Sequence, residues 1–537
     1  CTYPDTSTRS AIFDDDGRLA SLTVGGDTTT FTYDANGNLT GTALPSGLTE
    51  KRAVDRAGRA VGVRTTTAAD AVVVGVTQTL DPVGNPTSIT TARGATESTD
   101  TFRYDSANRL TGACVDTTAA CTTGAAKRID WTYDPVGNRL TQRRVGLANR
   151  NGLTTYTYND TDELTQSVKG ANTTVYAYDA DGNQTSDGSA SYVYDLANRQ
   201  TSAQVGAVTW GYTYDGAGKR LTRTRNGSVR TRFSWDPQND LPELALERAG
   251  NRALINRYEQ GPAGPVSYTT PTGTYYYHRD PIGSIRTVTN AAGAEQWTYD
   301  YDPYGENRAT AQADPAAEAN DVGFTGEALD TETGLYHLRA RQYDPGSGIF
   351  KAQDPVEPPH SLAYSVTYGY ALQRPAVLTD PSGLTPITEV EKRWTGQPSR
   401  PYWTMRVGQA VLVTQSKSSL RYMSTGPKRR TEGYTAFYLS IKNVNILPWA
   451  GVLRAKTAAG SREKDVYLTP QMVITYKIPI IMQRGQKIQY EATLSARSSA
   501  TTLAVLFWCG NEDNRCIAIK RREPPLPTWM TWLGIRK

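Results

Sequence analysis

Residues 334–345 read GLYHLRARQYDP, and residues 379–384 read TDPSGL. Between these two stretches lies Gln353-Asp354-Pro355, so three Asp-Pro pairs follow one another in this part of the chain. An Asp-Pro pair initiates turns, because Asp bonds to its own backbone and Pro fixes φ. The chain before Leu384 and the chain after it differ in repeat content and in charge. This part of the sequence therefore marks the main boundary in the chain.

Before this boundary, a short unit recurs in which an aromatic residue precedes Asp and a Gly or Asn follows three or four residues later. The fullest copy is YDPVGNRL at residues 133–140. Asp and Asn favour the turn, Gly supplies positive φ, and the flanking Thr, Tyr and Val favour extended chain, so each unit is predicted to be a β-hairpin. One hairpin cannot bury enough surface to be stable alone, so the copies are predicted to join in one long sheet. Units of this kind occur at Phe13-Asp14, Tyr33-Asp34, Leu80-Asp81, Tyr104-Asp105, Tyr133-Asp134, Tyr178-Asp179, Tyr194-Asp195, Tyr214-Asp215, Trp235-Asp236 and Tyr299-Asp300.

The repeats and the later stretch together resemble the YD-repeat, or Rhs-repeat, family of polymorphic toxins and insecticidal toxin complexes. The resemblance covers about residues 1–384 and is most specific over residues 300–384, which include YDPYG at 301–305 and FTGE at 324–327. It implies an all-β fold in which the repeats form a β-sheet strip that winds into a complete or partial hollow shell. Where the family usually has Asn-Pro before the final Asp-Pro, this chain has Arg374-Pro375.

The resemblance divides the chain into three parts. Residues 1–270 are predicted to be the repeat wall, and residues 271–384 the Rhs-repeat-associated core that forms a plug and carries the self-cleavage segment. Residues 385–537 are predicted to be a variable cargo domain held inside the shell. The chain begins with Cys1, which we interpret as the start of a processed or excised portion of a longer protein, with a lipid-bearing cysteine as the alternative.

The two sides of Leu384 carry opposite net charge. Residues 1–384 contain 34 Lys and Arg against 44 Asp and Glu, whereas residues 385–537 contain 24 against 9. An acidic wall around a basic guest favours retention of the guest, although salt screens this attraction beyond about 10 Å. The alternative is an ordinary acidic β-domain beside an ordinary basic one.

The resemblance also implies autoproteolysis of the aspartic-protease kind. Two aspartates that share one proton can activate water, because like charges a few ångströms apart cannot both ionise. The family's motif positions match Asp354 and Asp380, and the implied cut follows Leu384. Asp344 is a reserve candidate, and a purely structural role in turns is the alternative for all three aspartates.

The region after Leu384 is predicted to be a small β-sandwich or barrel. Apolar and polar residues alternate over residues 434–441, 472–478 and 487–494, as in half-buried strands, and residues 502–508 are apolar throughout, as in a central strand. All three histidines precede the boundary, so histidine-dependent nucleases, Cys-His proteases and Ser-His-Asp hydrolases are not expected in this region. No Walker-type or dinucleotide glycine motif follows the boundary, and no cofactor and no metal are predicted. The histidines are His278, His337 and His360.

Basic residues of this region could bind the phosphates of nucleic acid or an anionic membrane, with simple solubility as the alternative. The candidate patch consists of Lys428, Arg429, Arg430, Lys520, Arg521 and Arg522. Two local cysteine pairs, Cys114 with Cys121 and Cys509 with Cys516, are candidate disulfides, with an incomplete zinc site as the competing interpretation.

Three functional classes follow from these patterns. The first is a bacterial toxin, secreted or at the cell surface, that encloses and releases its C-terminal effector for use against competitor or host cells. Its partners would be its own cargo, a delivery or secretion apparatus, and an immunity protein. The second class is a pore-forming β-sandwich cargo, and the third is a non-catalytic adhesion protein of the cell surface. No apolar run reaches the roughly 20 residues that a membrane-spanning helix needs.

Overall fold

The computed structural model describes residues 8–355, apart from 57, 148–149 and 237–240, and residues 367–384. Beyond Leu384 it describes strands between residues 387 and 511 as backbone. The chain divides into two compact units, residues 1–397 and 398–537. Within the described ranges the helical elements are two 3₁₀ turns, Phe324–Gly326 and Tyr370–Gln373, and no helix there is long and apolar enough to cross a membrane. The all-β prediction is confirmed.

Two large antiparallel sheets make up most of the first unit, and in both of them each strand pairs with the next one along the chain. The first sheet has 15 strands: β1 (Arg9–Phe13), β2 (Leu19–Val24), β3 (Asp27–Tyr33), β4 (Leu39–Ala43), β5 (Thr49–Val54), β6 (Ala60–Thr66), β7 (Val72–Leu80), β8 (Pro86–Arg93), β9 (Thr96–Tyr104), β10 (Leu110–Cys114), β11 (Arg128–Tyr133), β12 (Arg139–Val145), β13 (Gly152–Tyr158), β14 (Leu164–Lys169) and β15 (Asn172–Val175). The second has 14: β16 (Ala177–Tyr178), β17 (Gln184–Ser186), β18 (Ala190–Tyr194), β19 (Gln200–Val205), β20 (Val208–Tyr214), β21 (Arg220–Arg225), β22 (Ser228–Asp236), β23 (Glu243–Ala249), β24 (Leu254–Gly261), β25 (Gly264–Thr269), β26 (Thr274–Arg279), β27 (Ile285–Asn290), β28 (Glu295–Tyr301) and β29 (Asn307–Gln312). The predicted strip of hairpins is confirmed, but it is divided into two sheets where one long sheet was predicted, and neither sheet closes into a barrel.

The repeated Asp makes the turn within its own repeat unit. In the copy at residues 133–140, the Asp134 N–H donates to the carbonyl of Asn138 over 2.9 Å, and the Gly137 N–H donates back to the Asp134 carbonyl over 3.1 Å. The Asp134 carboxylate accepts from the backbone and the side-chain amide of Asn138, at 2.8 and 3.0 Å. The hydroxyl of Tyr133 donates to the carbonyl of Leu110 in the preceding repeat, at 2.6 Å. The aromatic residue thus joins one repeat to the one before it.

The strip returns beside its own beginning. Ion pairs join strands that are about 200 residues apart in sequence: Arg9 with Asp236 at 3.5 Å, Arg93 with Asp300 at 3.2 Å, and Arg308 with Asp100 at 2.7 Å. In each pair, one partner belongs to an early strand, β1, β8 or β9, and the other to a late strand, β22, β28 or β29. These partly buried pairs connect the two parts of the strip.

The core segment packs against the strip's inner residues. It forms a four-stranded sheet from β30 (Ala328–Asp330), β31 (Leu335–Leu338), β32 (Arg341–Asp344) and β33 (Ile349–Phe350), followed by the two-stranded pair β34 (Leu378–Thr379) and β35 (Ile387–Thr388). Its aromatic residues Tyr343, Phe350 and Tyr370 are fully buried in one cluster with tyrosines of the strip. Burial of this much aromatic surface is the main stabilisation that the core contributes.

Buried ion pairs add specific links between strip and core. Arg220 of β21 contacts Asp330 at 2.8 Å, and Lys351 contacts Asp187 of the strip at 3.1 Å. All four side chains are largely shielded from solvent, so each charge needs a charged or hydrogen-bonding partner where it is buried.

The second unit contains two four-stranded antiparallel sheets. One has the order β36-β43-β38-β41 and the other the order β37-β42-β39-β40. The predicted strands at 434–441, 472–478, 487–494 and 502–508 are confirmed, and the last of them is an interior strand, as its apolar sequence predicts. The bounds are β36 (Val411–Val413), β37 (Ser419–Lys428), β38 (Gly433–Asn443), β39 (Trp449–Thr457), β40 (Gly460–Leu468), β41 (Val473–Met482), β42 (Lys487–Ala496) and β43 (Leu503–Asn511).

Candidate functional site

The segment that ends at Leu384 is a tight turn built on Asp380. One carboxylate oxygen of Asp380 accepts from the Leu384 N–H at 3.0 Å and from the Ser382 hydroxyl at 3.0 Å. Gly383 has φ of +69°, and a Cβ there would lie 2.4 Å from the carbonyl of Leu338, so only glycine fits. The sequence Asp-Pro-Ser-Gly-Leu thus holds a carboxylate against the amide of Leu384.

Strand pairing places this turn in a loop. β34, which immediately precedes Asp380, pairs antiparallel with β35, with Thr379 opposite Ile387. Leu384 lies in the chain that joins these two strands, and the implied scissile bond follows it. The bond thus lies, in sequence, between two paired strands, and the residues on its C-terminal side are described again from Ile387.

Asp354 reaches the same place from another part of the core. The chain after β33 runs beside residues 367–370, where the Phe350 N–H donates to Tyr368 and the Asp354 N–H donates to Thr367, at 2.8 and 3.1 Å. This pairing fixes the backbone of Asp354. Its side chain is 19% exposed, whereas that of Asp380 is 1% exposed.

Arg341 brings the two aspartates together. One of its terminal nitrogens lies 2.8 Å from a carboxylate oxygen of Asp354 and 3.6 Å from one of Asp380. Its Nε donates to the carbonyl of Gly383, and its other terminal nitrogen donates to Thr367 at 3.2 Å. The guanidinium is buried over the ring of Phe350, 3.7 Å from its centroid. Burial lowers the pKa of Arg341, and the two carboxylates oppose this effect.

A second arginine supports the turn from the opposite side. Arg339 donates to the carbonyl of Pro381, to Glu327 at 2.8 Å and to the carbonyl of Pro242 at 2.8 Å. Pro242 belongs to the strip, so Arg339 connects the strip to the segment that carries Asp380. Both arginines together clamp the backbone on either side of Ser382.

Asp344, the reserve candidate, faces a different partner. Its carboxylate accepts from the Gly346 N–H at 2.9 Å and the Ser347 hydroxyl at 2.8 Å, and it lies 3.2 Å from Lys351. The structure therefore brings Asp354 and Asp380 together around Arg341 and gives Asp344 a turn-forming role.

The arrangement has two carboxylates and one cation beside a constrained backbone amide. Carboxylates in this position can take a proton from water and give one to a leaving nitrogen. Arg341 contacts both of them and adds positive charge near the carbonyl of Gly383. Sequence reasoning missed Arg341, because in GLYHLRARQYDP nothing separates it from its neighbour Arg339. The available signal for Arg341 was its position in a stretch that also contains aromatic residues of the core.

The other predicted residues lie elsewhere. Cys114 and Cys121 form a disulfide with their Cα atoms 5.2 Å apart. Cys509 and Lys428 lie on strands of the second unit, β43 and β37, whose side chains are not described. Outside the described residues lie Cys1, Arg429, Arg430, Cys516, Lys520, Arg521 and Arg522.

Comparison with known proteins identifies relatives of the strip. The Teneurin YD-shell family model matches residues 44–357, more than half of the chain, and the RHS Repeat model matches residues 13–49. The tRNA3(Ser)-specific nuclease WapA of Bacillus spizizenii is 28% identical over 262 residues, which are 48% of this chain and 11% of the relative. The toxin protein Tse5 of Pseudomonas aeruginosa is 31% identical over 147 residues, 27% of this chain and 10% of the relative. The chain thus spans about a tenth of the length of these relatives.

A solved structure shares the fold. The Tc holotoxin pore of Photorhabdus luminescens aligns with a TM-score of 0.58 at 19% identity, over 72% of this chain and 20% of that one. At this identity the likeness concerns the fold alone.

Proposed function

Because the chain belongs to the Teneurin YD-shell family and has Rhs-repeat toxins among its relatives, we propose that it is the shell and core of a toxin that cuts its own backbone after Leu384. The cut frees residues 385–537 as a cargo. The domain limits in this proposal are residues 1–270 for the wall, 271–384 for the core and 385–537 for the cargo.

One observation carries the proposal: Arg341 holds the carboxylates of Asp354 and Asp380 beside the backbone of residues 383 and 384. The hydrogen bond from the Leu384 N–H to Asp380 puts that carboxylate within one residue of the implied scissile bond. An Asp-Pro turn with no further role needs neither a second aspartate from another part of the core nor a buried arginine between the two.

The proposed reaction is hydrolysis of one peptide bond. Asp354, the more exposed of the two, takes a proton from a water molecule whose oxygen attacks the carbonyl carbon of Leu384. The two carboxyl groups share one proton, which Asp380 holds at the start while Asp354 is ionised. When the bond between Leu384 and Thr385 breaks, Asp380 gives this proton to the departing nitrogen, and the proton that Asp354 took from water leaves the pair with one proton again. One water is consumed, and the products are a new carboxyl group on Leu384 and a new amino group on Thr385.

The target of the cargo is proposed from its charge. Residues 385–537 carry a large excess of Lys and Arg, which favours a polyanionic partner such as nucleic acid over a neutral one. Two relatives are named for action on nucleic acid, WapA as a tRNA nuclease and a Burkholderia cenocepacia protein as a double-stranded DNA deaminase toxin. A delivery apparatus and an immunity protein complete the proposal as partners.

The test compares the wild-type chain with Asp354→Asn and Asp380→Asn by denaturing gel and intact mass. We expect the wild type to give a fragment of residues 385–537 and both variants to stay uncut. Asp330→Asn is the matched control, because it also removes a buried carboxylate from an arginine in the core segment, and it should still be cut. Loss of cleavage in the control alone, or cleavage in either site variant, would contradict the assignment.

A further inference from the structure

Three consecutive residues just before the site adopt a left-handed backbone without a glycine among them. Ala371, Leu372 and Gln373 have φ of +51°, +51° and +56°. Elsewhere in the described residues, positive φ at a non-glycine residue occurs singly, mostly at Asp and Asn in turns. The left-handed conformation forces Cβ towards the following carbonyl, so a run of such residues is strained. Strain of this kind persists only where the surroundings impose it.

Two residues of the strip, meaning the two large sheets β1 to β29, impose it here; the last hairpins of the strip lie within residues 271–384. The hydroxyl of Tyr304, which follows β28, donates to the side-chain oxygen of Gln373 at 2.7 Å, and both groups are buried. Asn85, from the turn between β7 and β8, accepts from the guanidinium of Arg374 at 2.9 Å. The two anchors come from parts of the strip more than 200 residues apart, and they meet on adjacent residues of the core.

The strained turn is connected to the site by a short, bonded path. The carbonyl of Arg374 accepts from the N–H groups of Val377 and Leu378, at 3.0 and 2.9 Å. Leu378 begins β34, and Asp380 follows β34 directly. A change in the turn therefore moves the whole segment that carries Asp380.

We propose that the left-handed turn at 371–373 positions Asp380 for cleavage only while Tyr304 and Asn85 of the strip are docked on it. Cleavage is thereby licensed by assembly of the strip around the core. This inference rests on the proposed self-cleavage. It makes Tyr304, Asn85 and Arg374 positioning residues, since none of them touches the carboxylates at the site.

The two anchors determine how much of the protein has the turn in its left-handed form. Without the anchors, the turn relaxes towards the right-handed or extended backbone that L-residues prefer, and the path to Asp380 changes direction. Displacement of a reacting group by about 1 Å can slow a reaction by on the order of 100-fold. A chain whose strip has not yet closed on the core would then remain uncut, and the cargo would stay attached until it is enclosed.

The first test removes one hydroxyl. Tyr304→Phe deletes the donor to Gln373 and keeps the ring, which packs on Arg139 and Trp131. Tyr133→Phe is the matched control, because the Tyr133 hydroxyl lies 2.7 Å from that of Tyr304 but donates its proton to Leu110 and does not reach the turn. Cleavage in Tyr304→Phe is expected to be slower than in the control by at least roughly fivefold, the value of one neutral hydrogen bond. Arg374→Met should slow cleavage in the same way.

The rates are read from cell-free synthesis with labelled methionine. All five methionines of the chain lie beyond residue 384, so the label marks the cargo region both in the uncut chain and in the released fragment. A short pulse followed by samples over time gives the fraction cut, and thermal unfolding of the purified variants shows whether their stability differs.

The decisive variant relieves the strain instead of the anchor. Ala371→Gly lets the turn stay left-handed at lower cost, because glycine has no Cβ. In the Tyr304→Phe background it should restore most of the lost rate, although it removes a buried methyl group. A merely structural role predicts the opposite, a double variant that is less stable and no faster.

Each result has one meaning. A wild-type chain that is never cut removes the proposed function and this inference with it. A wild-type chain that is cut, with Tyr304→Phe and Arg374→Met cut at the rate of Tyr133→Phe, overturns the licensing inference and leaves self-cleavage intact. Slow cleavage in Tyr304→Phe without rescue by Ala371→Gly overturns the part assigned to the strained turn.

Discussion

Glu247 offers a quantitative prediction about the strip. It lies on β23, fully buried, where its carboxylate accepts from the Asn256 side chain at 3.0 Å and from the Tyr258 hydroxyl at 3.2 Å. Burial, and then the nearby charge of Asp321, raises the pKa of Glu247 to about 7, while Arg223 opposes the rise. The unfolded chain keeps the ordinary value of 4.5. Between pH 4.5 and about pH 7, the folded protein therefore keeps a proton on Glu247 that the unfolded chain has lost.

The sign of the effect follows from linkage. A carboxyl group whose pKa is higher in the folded state stabilises the fold below the unfolded value, and that contribution is lost as pH rises through about 7. A difference between 4.5 and about 7 corresponds to about 3 kcal/mol. Replacing Glu247 with Gln keeps an oxygen acceptor and removes the charge. The variant should therefore be more stable than the wild type at pH 8, by up to about 3 kcal/mol, and nearly equal to it at pH 5.

Urea unfolding followed by tryptophan fluorescence, at pH 5, 6, 7 and 8, measures this difference. Glu97→Gln is the control, because Glu97 is an exposed carboxylate on the same strip, and its unfolding midpoint should differ little from the wild type at any pH. Comparison of the two variants removes the effects of other titrating groups. A Glu247→Gln variant that is less stable than the wild type by the same amount at pH 5 and pH 8 would refute the reasoning.

Three further substitutions test individual contacts. Gly383→Ala places a Cβ against the carbonyl of Leu338 at a residue with positive φ, so it should abolish cleavage and cost at least about 1–2 kcal/mol of stability, as read from intact mass and thermal unfolding. Arg341→Met keeps the length of the side chain but removes the cation that pairs with Asp354 and with the buried Asp380, so it should stop cleavage and lower stability by about 3–5 kcal/mol. Cys114→Ser with Cys121→Ser opens a short covalent loop and should destabilise the strip by about 2–3 kcal/mol in urea unfolding, with cleavage retained.

The strip could be predicted from the sequence because its signals are local. The aspartate, glycine and asparagine of each repeat form hydrogen bonds within about five residues, so spacing alone determines a turn. The strand positions after Leu384 were predictable for the same reason, since alternation of apolar and polar residues has the period of a strand.

The site could be predicted only in part. The resemblance pointed to Asp354 and Asp380. Arg341 was identified only from the structure, in which the first residue of β32 contacts both aspartates. The left-handed turn at 371–373 had no sequence signal, because Ala, Leu and Gln ordinarily avoid that conformation. Its cause lies in Tyr304 and Asn85, which are remote in sequence. Local chemistry thus determines the repeats, whereas contacts across the strip determine the site.

The central claim is that the folded core cuts the bond between Leu384 and Thr385. Intact mass and N-terminal sequencing of the purified wild-type protein test it most directly. The account predicts a fragment that begins with Thr-Pro-Ile-Thr-Glu-Val and ends at Lys537. A single uncut mass, or a fragment that begins at any other residue, would contradict it.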